Sequence, residues 1–185
     1  GYDAVASASL LGFTKTELSR GIDLLASLAQ APAPGWYGSH PGSLGETAAW
    51  LIAAGGVAMM VLRIISWHIP LAMLAGIAVP AAILHAVDPA RYLDAGTHLL
   101  SGGAMLGAFF IATDYVTSPN TKAGQLIFGA GCGLLTWVIR TFAGYPEGVA
   151  FAVLLMNSLT PIIDSYVRPR IYGRDRKGAA LEPGK

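Results

Sequence analysis

His98-Leu-Leu-Ser-Gly-Gly-Ala-Met-Leu-Gly-Ala-Phe-Phe-Ile-Ala-Thr-Asp114 is an apolar run closed at both ends by an ionisable side chain. The same grammar continues through Phe142-Ala-Gly-Tyr-Pro-Glu-Gly-Val149 to Arg168-Pro-Arg-Ile-Tyr-Gly173. An α-helix needs ~20 residues to cross ~30 Å of hydrocarbon. Working outward, five apolar stretches approach that length: 48–66, 69–87 (with Pro70 and Pro80), 97–113, 124–139 and 148–167. The third and fourth are short and rich in glycine, the pattern of broken or re-entrant helices. Alternating strand patterns of ~10 residues are absent. The expected fold is therefore an all-α integral membrane protein with five transmembrane spans.

Composition agrees. Charged residues make up 12% of the chain, against about 25% in a soluble domain. The 23 glycines suit close helix approach in lipid. A net charge of +1 gives no electrostatic case for nucleic acid. The lone Cys132 can form no internal disulfide and cannot hold zinc or an iron–sulfur cluster by itself, so it reads as a small core residue. No catalytic triad, phosphate-binding glycine loop or His/Cys metal spacing occurs. His68 and His98, at span ends, read as interfacial polar tips. Asp114 reads as a loop cap or a partner for Lys122, and Arg140 with Glu147 as an interfacial ion pair of small worth. Asn157 lies deepest in the fifth span and calls for a partner on another helix.

Charge sets the expected orientation. Arg168, Arg170, Arg174, Arg176 and Lys177 cluster after the fifth span, which places the C-terminus in the cytoplasm. Five crossings then put residues 1–47 on the periplasmic side; Lys15, Arg20 and Arg140 oppose this but are outnumbered. The chain thus divides into a periplasmic segment 1–47, a membrane domain 48–167 and a basic cytoplasmic tail 168–185. Within the first segment, 16–31 reads as an amphipathic helix capped by Thr16 and ended near Pro32. Trp36 and Tyr37 in the following loop suit a membrane interface. Pro41-Gly-Ser-Leu-Gly-Glu-Thr47 leads into the first span: Ser43 and Thr47 are helix-capping types, and Glu46 complements the helix dipole.

These stretches resemble the D subunit of the Rnf electron-transport complex, whose family includes the B subunit of the sodium-translocating NADH:quinone reductase. The resemblance is to the second half of such proteins, so a further set of apolar helices is expected before Gly1. It implies one inverted repeat of a urea-transporter-like fold in a bacterial inner membrane. It also implies electron transfer within an ion-translocating ferredoxin:NAD oxidoreductase, a translocase with other membrane and peripheral subunits. In the family, an Asp, small residues, Gly-Ala and a final Thr or Ser form a flavin-attachment motif. Here Asp3-Ala-Val-Ala-Ser-Ala-Ser9 keeps Asp3, Ala8 and Ser9, while Ala4, Ala6 and Ser7 depart from it. The resemblance therefore makes Ser9 the site of covalent FMN, joined by phosphoester through a periplasmic flavin transferase, and implies a second flavin, riboflavin. Relatives carry a similar Gly-Ser-Leu/Ile-Gly-Glu-Thr, so Gly42, Ser43, Gly45, Glu46 and Thr47 are expected to touch flavin, the glycines allowing close backbone approach. The quinone reductase member shares fold and flavin and remains an alternative. A solute channel of the same fold is the alternative without redox chemistry.

Overall fold

The computed structural model describes residues 10–20, 48–145 and 147–168. The described elements are helical: α1 (Leu10–Ser19), α2 (Ala49–Val61), α3 (His68–Val87), α4 (Ala95–Leu100), a single turn α5 (Ala104–Leu106) that runs into a π-helical turn (Gly107–Ile111), α6 (Lys122–Phe142) and α7 (Val149–Tyr166). Three of them, α3, α6 and α7, are long and apolar enough to cross a membrane; α2 is apolar but shorter.

Backbone contact holds α3 to α6. A Cβ on Gly129 would lie 2.6 Å from the Ile69 carbonyl oxygen, and one on Gly133 would lie 2.2 Å from that of Met73. Hydrogen at these two positions, one turn apart, lets the helices close on each other, and dispersion replaces the hydrophobic drive that lipid does not supply. Around this seam Met73, Phe128 and Cys132 form the core with Ala108, Val149 and Val153. Gly131 receives Met156 of α7, and Gly56 of α2 lies under the Phe109 ring. The outer faces are apolar too: Leu71, Val79 and Ile83 on α3 and Leu154, Leu155 and Ile162 on α7 are exposed. Such faces belong in hydrocarbon rather than water.

Several sequence expectations change. The stretch 97–113 is not one helix but α4, a break at Ser101–Gly103, α5 and the π-helical turn. Gly102 makes the break, with φ +66°, a conformation costly for residues with a Cβ. The fourth span is longer than 124–139: α6 has 21 residues, started by Thr121, whose hydroxyl accepts from Gly124 N at 3.0 Å. The first span is shorter, because α2 ends at Val61 and Arg63 takes a positive φ of 58°. Thr16 is not a cap; it lies inside α1 and donates its hydroxyl to Gly12 O at 2.8 Å. The partner that Asn157 calls for is not among the described residues, where its buried Oδ1 has no hydrogen bond.

Candidate functional site

Polar side chains of the bundle gather at its two ends. At the start of α6, Asn120 donates from N (3.2 Å) and Nδ2 (3.1 Å) to the Asp164 carboxylate of α7, and Ser66 Oγ donates to Gln125 Oε1 at 2.7 Å. Asp114 accepts from Thr117 Oγ1 at 3.1 Å. The ion pairs among the described residues are Arg20–Glu17 and Arg140–Glu147, so the Asp114–Lys122 pair is not formed.

The other end, about 30 Å away along α6, is built differently. Arg140 lies in the last turn of α6 with its side chain 0% accessible. Its Nη1 donates to His98 O at 2.6 Å, and its Nη2 donates to Ser101 O at 3.2 Å and Glu147 Oε1 at 2.8 Å. Glu147 Oε1 also accepts from Gly103 N at 3.2 Å. The guanidinium therefore ties the broken α4–α5 segment to α6 and to the turn before α7. The expected pair forms, but not as an exposed interfacial one: burial of the guanidinium removes competing water, and the His98 and Ser101 carbonyls accept from Nη1 and Nη2 beside Glu147.

α1 joins the same end. Lys15 Nζ donates to Arg140 O and Tyr145 O, both at 3.0 Å, placing a cation on the carbonyl end of α6 where the helix dipole favours it. Burial pushes the Lys15 ammonium below its ordinary pKa. Asp94 starts α4. Burial alone would raise its pKa, but bonds from the Thr97 hydroxyl, Thr97 N and Gly96 N hold it below the ordinary value.

Between α1, the end of α3, the 88–94 turn and α6 lies a cavity of about 330 Å³. Lys15, Arg91, Tyr92, His98, Trp137 and Arg140 are among its lining residues, and no carboxylate is. His98 is not an interfacial tip: it is 4% exposed, and its buried Nδ1 has no partner among the described residues. Lys15, Arg91, Tyr92 and Trp137 are among the lining residues that the sequence did not mark as site residues. Lys15 counted only as a charge against the orientation, and Arg91 lies between Asp88 and Asp94, whose carboxylates outnumber it in that turn. Ser9, Gly42, Ser43, Gly45, Glu46 and Thr47 lie outside the described residues. Cys132 is a buried free thiol, as expected. Among the described residues, no three His, Cys, Asp or Glu side chains gather as metal ligands do.

Membrane-length helices, apolar on their outer faces and sealed by glycine within, define a helical integral membrane protein. Comparison with known proteins narrows this. The chain belongs to the NQR2, RnfD, RnfE family, whose model matches residues 1–173. It is 51% identical over 182 residues to the D subunit of the ion-translocating oxidoreductase complex of Halorhodospira halophila, covering 97% of this chain and 51% of that protein. It is 48% identical over 185 residues to the protein of the same name from Stutzerimonas stutzeri (99% and 52%). With that of Escherichia fergusonii it shares 44% over 178 residues (96% and 49%). The resemblance read from the sequence is therefore borne out. The chain spans about half the length of the curated relatives it matches.

Proposed function

We propose that this chain is the electron-transfer portion of the D subunit in an ion-translocating oxidoreductase of the Rnf type, with FMN joined covalently to Ser9. The relatives quoted are named as the D subunit of such a complex, which favours Rnf over the quinone reductase branch of the family. The observation that carries the flavin reading is α1. It starts at Leu10, one peptide bond after Ser9, and is anchored on α6 through Lys15. Its Leu11, Thr14 and Lys15 line the cavity. Ser9 is two residues in sequence from Leu11, the first residue of that wall.

The cavity suits a flavin. Its lining offers cationic side chains for a phosphate and the rings of Tyr92, Trp137 and Phe142 for a flat heterocycle. The FMN supplies the redox chemistry when bound, and the chain supplies position and electrostatics. Gly42, Ser43, Gly45, Glu46 and Thr47 would add contacts from the segment before α2, and riboflavin would be a second cofactor of the whole subunit. We assign the remaining membrane crossings to α2 and to the broken α4–α5 segment, giving five in one inverted repeat. Residues 1–47 then face the periplasm, where a flavin transferase would reach Ser9, and residues 168–185 face the cytoplasm. Support comes from Lys15 meeting the end of α6 opposite the one at which α7 meets Asn120. Partners would be the other Rnf subunits and the lipid bilayer.

Intact mass of the protein tests this reading. Wild type should carry the mass of one added FMN and fluoresce in a denaturing gel. Ser9→Ala should lose both, while Ser7→Ala keeps them. Ser9→Ala protein that still carries covalent FMN would remove the assignment.

A further inference from the structure

The cavity beside α1 carries positive charge that the described acidic groups do not answer. Glu147 is bonded to Arg140 and Gly103 N. Asp94 is bonded to Thr97, and Asp88 accepts from Ala90 N at 3.2 Å. Lys15 bonds neutral carbonyl oxygens. Arg91 is exposed, lies 5.8 Å over the Tyr92 ring and is in no ion pair among the described residues. Lys15 and Arg91 thus face one cavity beside the Glu147-paired Arg140, with no carboxylate in its lining. In the same lining, His98 has a buried nitrogen that lacks a partner among the described residues, and a buried polar atom left open marks a place for a further group.

We infer that Arg91 and Lys15 hold the phosphate-ester anion of the flavin borne at Ser9, with the flavin ring lying toward Tyr92 and Trp137. This rests on the proposed attachment at Ser9 and adds what positions the group once attached. A phosphate joined both to Ser9 Oγ and to the ribityl chain keeps one negative charge, which a guanidinium and an ammonium can share. Arg91 reaches it from the solvent side of the cavity. Lys15, four residues along α1 from Leu11, reaches it from the helix that begins after Ser9. A phospholipid headgroup offers the same anion without the flat ring, and the three aromatic side chains in the lining favour the flavin.

The test uses the whole purified complex with Arg91→Ala or Arg91→Lys in this chain. Intact mass reports attachment, phosphorus NMR reports the phosphate's surroundings, and a redox titration reports the covalent flavin. Arg91→Ala should keep its FMN mass. Its phosphate resonance should move, and its flavin should shift about tenfold toward the oxidised form at fixed potential, about 30 mV for a two-electron couple. Arg91→Lys should lie close to wild type in both readouts. If Arg91→Ala carries FMN with unchanged resonance and unchanged titration, the positioning role is overturned while attachment at Ser9 stands. If Arg91→Ala lowers only co-purified phospholipid, the cavity is a lipid site and the inference is overturned. Wild-type protein without covalent FMN would overturn attachment and positioning together.

Discussion

Replacing Arg140 with alanine removes the cation that joins four parts of the chain. Three acceptors lose a charged donor: His98 O, Ser101 O and Glu147 Oε1. Removing one partner of a buried ion pair costs about 3–5 kcal/mol, mostly through the charge left behind. Glu147 is the half of the pair that water still reaches, its side chain 37% accessible, so the lower end applies. The two carbonyls add to the loss but not independently, which leaves about 3 kcal/mol as the expected destabilisation. For a domain of this size that is roughly 6–12 °C in melting temperature. Cys132 provides the assay. It is the only cysteine of the chain and is buried between α3, α6 and α7, so a thiol-reactive dye reports when that core opens. Arg140→Lys should fall between wild type and Arg140→Ala, since an ammonium keeps the charge but not the fork. An Arg140→Ala protein that labels at the wild-type temperature would refute the account of this end of the bundle.

Two more perturbations probe the same neighbourhood. Gly102→Ala should cost about 2 kcal/mol: its positive φ penalises any Cβ, and that Cβ would lie 1.5 Å from Glu147 Oε1. Because both changes displace Glu147, a double-mutant cycle with Arg140→Ala should show strong non-additivity; additive losses would separate the two. Asp94→Ala should cost about 1 kcal/mol by removing the α4 cap. The folded Asp94 carboxyl titrates below its ordinary value, so in that window the unfolded chain binds more protons and stability rises with pH. The contribution is complete above the ordinary carboxylate range and is lost as pH falls through the lowered folded value. Asp94→Asn should flatten this part of a dye-labelling melt series from about pH 3 to pH 7; an unchanged pH profile would count against the cap.

Much of the bundle was legible because its signal is local. α3, α6 and α7 are long apolar helices with few charges, and a span read from hydropathy needs nothing else. The break in the third stretch was also half visible, since two adjacent glycines inside a short span warn of irregular backbone. The early end of α2 was not. Residues 62–66, Leu-Arg-Ile-Ile-Ser, hold neither glycine nor proline, and the turn there puts Arg63 at a positive φ that no sequence rule assigns to arginine. The start of α1 was missed because Thr16 is a helix-capping residue type, whereas the helix begins at Leu10 and holds Thr16 in its interior.

Arg140 shows the deeper reason that the site was harder to read than the fold. Its worth depends on what it meets, and two of its three acceptors are backbone carbonyls of His98 and Ser101, 42 and 39 residues away. Every residue carries a carbonyl, so nothing in the sequence distinguishes those two. They become acceptors because Gly102 turns the chain and leaves the end of α4 without a continuing helix. The glycine, the free carbonyls and the buried guanidinium are one arrangement: the break creates oxygens that need donors, and the cation needs several oxygens to be buried at all. The cavity follows from the same folding step. It draws Lys15, Arg91, His98 and Arg140 from four separate segments, and these side chains acquire a common meaning only once α4 stops at Leu100 and α1 is seated on the end of α6.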